Sequence, residues 1–445
     1  MPATSELLRQ TVHIAMGGLA LLLRWLTWPQ AVALAAIAVI ANLTVLRRIA
    51  GPIFRDADAT GINNAGIVLY PLAVLALLLI FPSRPDIVAA AWAILAAGDG
   101  FATIAGTHLR SPRLPWNRDK SVAGLIAFVV AASAAGIAVA WFVQREDATA
   151  ARWWIVVAPA LAAVAAAFVE TAPIRLNDNI SVPAVAAAVL WATSHVDAAV
   201  FAASWPALTS RAVPAVAINL LVGVAGWRAG TVTVAGAITG AIIGAVIYVG
   251  AGPAGWTMLL VAFVVASAAT RAGYARKARL GIAEARGGRR GPANAIANTG
   301  IAAAAASLAP GLAAPEMALL ALTAALATGA SDTVASEVGK AWGRTTVLVT
   351  SGRRAAPGTS GAVSLEGTIA GIASAAALAT IAWTLGLIPA IAIVIVTIAA
   401  TVASLVEGAL GATLEASGIL DNDALNFVNT AVGAALALAA VWLFG

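Results

Sequence analysis

Apolar runs long enough to cross a bilayer recur along the whole of this 445-residue chain. A spanning helix needs roughly 20 predominantly apolar residues to cover a hydrocarbon core about 30 Å thick. The chain is 61% hydrophobic and 10% charged, whereas soluble domains carry about 25% charged residues. It therefore reads as an all-α, polytopic integral membrane helical bundle. Hydropathy gives about fifteen transmembrane helices. The start, "MPATSELLRQTVHIAMGG", sets Glu6 near Arg9 and shows no small-residue cleavage site after a basic region. The first apolar segment is expected to stay in place.

The net charge of +6 does not call for nucleic acid. Basic residues cluster in Arg47–Arg55, Arg110–Lys120, Arg271–Arg290 and Lys340–Arg354, in loops between apolar runs. Such clusters mark the cytoplasmic side of a membrane protein, and they place the amino terminus and Arg175 there too. Trp25, Trp28, Trp153, Trp154, Trp205 and Trp256 read as interfacial anchors. The glycines Gly236, Gly240 and Gly244, four apart, read as a close helix-packing stripe. With no cysteine in the chain, disulfides, thiol catalysis and thiolate metal sites are excluded. Three scattered histidines argue against zinc, so any metal should have oxygen ligands.

Two polar strings interrupt the apolar background in the same pattern. "GDGFATIAG" carries Asp99, Ala102 and Gly106; "GASDTVASEVGK" carries Asp332, Ala335 and Gly339 in the same D-x-x-A-x-x-x-G spacing. Ser121 and Gly124 of "KSVAG" then match Ser364 and Gly367 of "VSLEG". Glu170 with "NDN" at 177–179 matches Glu407 with "DND" at 421–423. The Asp-to-Glu separation is 71 residues in one half and 75 in the other. Four landmarks in one order indicate two related modules, 1–200 and 201–445, running parallel in the membrane.

An ionisable residue within a span is costly and usually lines a site. Asp99, Asp332 and Glu337 fall toward cytoplasmic ends, where solvated helix ends are the plainer alternative. Basic loops follow each aspartate, and "APGTSGAVSLEG" leads into a helix whose free N–H groups and positive dipole end suit phosphate. Carboxylates to hold Mg²⁺, cations facing a triphosphate and a base near an acceptor are the parts phosphoryl transfer needs. No Walker-type or protein-kinase motif is present. In "DNDALNFVN", Asn422, Asn426 and Asn429 share one helical face, although a capped loop reads as well.

These strings carry a resemblance. "ELLRQTVHIAMGG", "NNAGIVLYPLA", "GDGFATIAG", "RDKSVAG" and "VETAPIRLNDNISVP" resemble the phytol and dolichol kinase family of membrane CTP-dependent polyprenol kinases, over roughly residues 1–200. "GIAEARGGRRGPANAIAN", "GASDTVASEVGK", "PGTSGAVSLEGT" and "DNDALNFVN" are similar to the phytyl-phosphate kinase family, over roughly 201–445. The resemblance implies a fusion protein for isoprenoid salvage. The first module would convert an isoprenoid alcohol (phytol, geranylgeraniol or farnesol) to its monophosphate, and the second would take the prenyl monophosphate to the diphosphate. CTP would be the donor, magnesium (Mg²⁺) the cofactor and membrane lipid the surroundings, with both sites on the cytoplasmic face of a bacterial inner membrane. One departure is Ala123 before Gly124, where the resembled family carries an acid.

On this reading Asp99, Asp332 and Glu337 are the catalytic candidates. Lys120, Ser121, Arg289, Arg290, Lys340, Arg353, Arg354, Gly358, Thr359, Gly361 and Ser364 are candidates for nucleotide or phosphate binding. Asp99, Glu170, Asp178, Asp332, Glu337, Glu366 and Asp421 are candidate metal ligands, and His13, Asn294, Asn422 and Asn426 complete the set. Two other functions need similar groups: a transporter of lipid-linked or anionic cargo, and a lipid cytidylyltransferase using CTP.

Overall fold

In the computed structural model the described residues form fifteen α-helices and one two-stranded ribbon. The structure describes residues 3–46, 66–144, 152–172 and 176–444. The Arg47–Arg55 cluster, Asn63 and Asn64, Arg145 and Arg175 lie outside the described residues. The chain divides into two compact units, Met1–His195 and Val196–Gly445.

The first unit holds α1 (Ala3–Gly17), α2 (Trp28–Ala41), α3 (Gly66–Ile80), α4 (Pro85–His108), α5 (Val122–Val143), α6 (Arg152–Thr171) and α7 (Asp178–Thr193). Its centre is α4. Pro85 opens that helix, where a missing N–H costs nothing, and Ile87 to Ala91 are fully buried. So much alanine keeps the helix slim: Ala is the best helix former, and small side chains let neighbouring backbones approach.

The second unit holds α8 (Ala198–Arg228), α9 (Val234–Arg271), α10 (Tyr274–Arg279), α11 (Pro292–Leu308), α12 (Pro315–Trp342), α13 (Leu365–Thr384), α14 (Ala392–Leu410) and α15 (Asn422–Phe444). Helix α12 is its α4. It also opens on proline, and Leu320 to Ser331 are buried without a break. Strands β1 (Thr346–Leu348) and β2 (Ala362–Ser364) pair antiparallel between α12 and α13.

Among the described residues nine helices are long and apolar enough to cross a membrane. Sequence reading expects about fifteen spans, and the difference has a physical cause. Hydropathy registers apolar stretches but not where their helices end. Helices α2, α3, α7 and α11 have 14, 15, 16 and 17 residues, short of a full crossing. The tryptophans divide as well. Trp25 and Trp205 are exposed, but Trp154 is buried beneath the Arg84 guanidinium, and Trp256 donates a hydrogen bond to Asn219 Oδ1 at 3.0 Å.

The 38 residues of α9 are two arms, not one rod. Gly252 has φ 72° and ψ −174°, a conformation essentially restricted to glycine, and Pro253 follows without an N–H to continue the ladder. Both outer ends of α9 return to one place. Arg271 Nη2 donates to Ala229 O at 2.7 Å, and Thr233, which caps the first arm, donates its N–H to Arg290 O at 3.0 Å. At the reversal, Arg211 Nη1 donates to Val249 O at 3.1 Å, satisfying a carbonyl released there. Replacing Gly252 with valine should therefore destabilise the protein by about 1–3 kcal/mol, read as a lowered unfolding temperature in detergent.

Candidate functional site

In the first unit, carboxylates from three helices converge. Asp99 sits two-thirds along α4, Glu170 lies in the last turn of α6 and Asp178 in the first residue of α7. One oxygen from each lies within 4.8 Å of the others. Lys120, in the loop before α5, hydrogen-bonds Glu170 and lies 3.6 Å from Asp178 Oδ2. On the other side, His13 Nε2 of α1 lies 3.5 Å from Asp99 Oδ2. The His13 ring stands edge-on to Tyr70, whose hydroxyl accepts from Trp92 Nε1 at 2.8 Å.

The sequence builds this cluster locally. Ser121 caps α5 by accepting the Gly124 N–H at 3.1 Å. A Cβ on Gly124 would stand 3.1 Å from Ala102 O, so α4 and α5 approach through glycine. Asn117 Nδ2 donates to Thr171 O at 3.1 Å, anchoring the loop that carries Lys120 beside the end of α6. Burial opposes the charge on Lys120, but Asp178 and Glu170 outweigh it and raise its pKa. Burial pushes the Asp178 carboxyl up to about 7, with Lys120 opposing and Asp99 and Glu170 adding to the rise. Its side chain keeps 37% of its surface exposed, so this burial is that of a cleft rim.

The second unit repeats the scaffold. Ser364 caps α13 by accepting the Gly367 N–H at 3.1 Å, and a Cβ on Gly367 would stand 2.4 Å from Ala335 O. Asp332 on α12 lies against Glu407 on α14, both lining one cavity, and Asn429 of α15 donates its amide to Glu407. Two carboxyls in contact need a proton or a cation between them. They open on a cavity of ≈ 250 Å³ that is also lined by Lys340, Glu415, Asn422 and the 357–364 loop. That loop is pinned by Gly361, φ 74°, where a Cβ would stand 2.4 Å from Gly408 O.

The other candidates fall elsewhere. Glu337 is buried between two ammoniums, Lys277 and Lys340, and does not line the cavity. Glu366 accepts the Arg344 N–H, and Asp421 caps α15 through the Ala424 N–H at 2.8 Å. None of the three joins Asp332. Arg353, Arg354 and Arg289 are exposed and outside the cavity lining. Thr359 lines the cavity, but its hydroxyl donates to Ala356 O at 2.8 Å. Gly358, φ 87°, turns the same loop over Ile282. Asn422 lines the cavity, whereas Asn426 is buried in α15. Arg290 and Asn294 belong to a second cavity. The residue missed was Glu407, although its pairing with Glu170 in the repeat marks it.

Comparison with known proteins bears on these geometries. Residues 217–434 match the family described as integral membrane protein DUF92. An uncharacterized membrane protein of Synechocystis, sll0875, is 41% identical over 201 residues, which are 44% of this chain and 78% of that protein. The chain belongs to the DUF92 family of integral membrane proteins. The Arabidopsis thaliana protein VTE6, chloroplastic, is 34% identical over 233 residues, covering 50% of this chain and 70% of that one. A probable phytol kinase 3, chloroplastic, of Glycine max is 33% identical over 120 residues, 26% of this chain and 38% of the kinase. No solved structure matches the chain.

The donor sets suit magnesium. Mg²⁺ takes hard oxygens, usually one or two carboxylates with waters and substrate phosphates. Asp99, Glu170 and Asp178 offer that in the first unit and Asp332 with Glu407 in the second, while Lys120 now supplies the neutralising charge in the first. The position of Glu337 is separately testable. Glu337→Gln leaves the fully buried Lys277 ammonium without its counter-ion and should cost about 3–5 kcal/mol. Glu366→Gln, which keeps an acceptor oxygen for the one long contact from the Arg344 N–H, should leave the unfolding temperature in detergent within a degree or two of wild type.

Proposed function

We propose that the chain is a bifunctional membrane prenol kinase: one unit converts a long-chain isoprenoid alcohol to its monophosphate, and the other converts that to the diphosphate. The observation that carries this reading is the repeated scaffold. Each unit sets an aspartate of its most buried helix against a glutamate at the end of a later one, beside a serine-capped helix. The likeness to VTE6 over half of the chain and to a probable phytol kinase supports it. Cytidine triphosphate as donor, and a cytoplasmic orientation for both sites, follow from the family resemblance and from the basic loops.

In the first step the alcohol oxygen attacks the γ-phosphorus, a new O–P bond forms, and the bond to the bridging oxygen breaks as the nucleoside diphosphate leaves. The hydroxyl proton passes to Asp99, with His13 Nε2 3.5 Å from its Oδ2. Lys120 is placed to neutralise phosphate oxygens once it releases Glu170. Mg²⁺, when bound, would offset the charge of the β- and γ-phosphates and of the carboxylates that hold it. In the second step the attacking atom is an oxygen of the prenyl monophosphate, which has no obligatory proton to lose. Asp332 and Glu407 would there hold the cation, with Lys340 facing the phosphates.

The test is a mass-spectrometric time course of the detergent-purified protein with phytol, CTP and Mg²⁺. Monophosphate should rise and give way to diphosphate with CDP released; pyrophosphate release would mean cytidylyl transfer, and no product with any prenol or nucleotide would end the kinase reading. Asp99→Asn should lower alcohol phosphorylation by about 10²–10⁴-fold and spare conversion of added monophosphate. Asp332→Asn and Glu407→Gln should do the reverse, accumulating monophosphate.

A further inference from the structure

A second cavity in the Val196–Gly445 unit has a different chemistry. It lies among α8, the two arms of α9, α11 and α12, and its walls are almost wholly apolar, with Val222, Ala237, Ile243, Leu259 and Phe263 among them. The glycine stripe of the first arm of α9 is only partly a packing device. Gly236 is pressed against Arg290 O and Gly244 against Asn219, but a Cβ on Gly240 would meet nothing within 4 Å. Gly240 lines the slot. The slot runs from the open end of the two arms toward their reversal, roughly 10 Å between Gly236 and Ile243 at 1.5 Å per residue.

The open end is polar and positive. Arg290, Asn294 and Asn298 line it. Arg290 donates to Asn294 Oδ1 at 3.2 Å and to Thr270 Oγ1 at 3.5 Å. Among the described residues no carboxylate lies within 4.0 Å of its guanidinium, Glu284 and Glu337 acting only from farther away. A largely buried cation without an ion pair is a place for an anion. The slot and the carboxylate cavity lie on different faces of the same helix: Gly329 and Ala330 of α12 line the slot, and the next two residues, Ser331 and Asp332, turned roughly 200° farther round at ~100° per residue, line the cavity.

We propose that this slot binds the isoprenoid chain of the prenyl monophosphate, with Arg290 at its phosphate end, packed against the same helix, α12, that carries Asp332. The assignment rests on the kinase reading above. It gives α9 a reason to fold back at Gly252: two short arms leave an apolar gap between them. It also explains the lack of a side chain at Gly240, where packing does not require one.

Gly240→Phe is the test, because the space it enters is empty and the fold need not move. With the full chain in nanodiscs, kcat/KM for a 20-carbon prenyl monophosphate should fall roughly tenfold or more relative to that for a 5-carbon one. A diazirine-tailed prenyl phosphate should label residues 237–263 in the wild type and lose that labelling in the variant. An unchanged chain-length preference with unchanged labelling would overturn the proposal. So would loss of a co-purified phospholipid from the variant without any change in prenyl kinetics, since the slot would then hold bilayer lipid. If the wild type phosphorylates no prenyl monophosphate, the kinase reading fails; labelling of the slot would then still support prenyl-phosphate binding, and absence of labelling would remove both.

Discussion

A carboxylate embedded among alanines and leucines must be given a counter-charge, a proton or a cation, and the surroundings of Asp99 and Asp332 follow from that need. Each aspartate sits on the helix buried deepest in its unit. The helix that follows is brought against it by a serine cap and a glycine with no room for a Cβ. This close approach leaves space on the far side of the aspartate for groups from later helices. Glu170 and Asp178 fill it in one unit, Glu407 and Asn429 in the other. The apolar bundle supplies rigidity, and the polar landmarks determine which helices can be neighbours.

Those landmarks are why so much was legible in the sequence. In a chain this apolar, an aspartate, a serine and two glycines at fixed spacing are conspicuous, and they mark the residues that make α4–α5 and α12–α13 pack alike. The Gly252–Pro253 step, where the arms of α9 meet, is a backbone break set by residue type rather than by hydropathy. What local reading could not see was pairing over distance. Glu337 is five residues from Asp332 and looks like its partner, but the helix turns it toward Lys277, 60 residues earlier in the chain. Glu407 is 75 residues from Asp332, and the internal repeat was the signal that could have placed it. Asp421 and Thr359 show the competing use of polar side chains, which satisfy the backbone of their own turns before they serve a ligand.

The two units neutralise their carboxylates differently, and the difference fits their proposed substrates. Lys120 immediately precedes the capping Ser121, whereas Val363 precedes Ser364. In the second unit the ammonium is carried instead by Lys340, directly after Gly339, and it is held by Glu337 and Glu284 beside the cavity. The first cluster therefore has an internal cation touching Glu170 and Asp178, which offsets part of the charge of its three carboxylates before any metal or nucleotide arrives. Asp332 and Glu407 face one another with the Asn429 amide against Glu407, so a cation between them gains two ligands at once. A site that must hold a nucleoside triphosphate against a second phosphate meets more negative charge than one that accepts a neutral alcohol. An open carboxylate pair with a lysine at the rim and an uncompensated arginine one cavity away is the arrangement such a charge load requires.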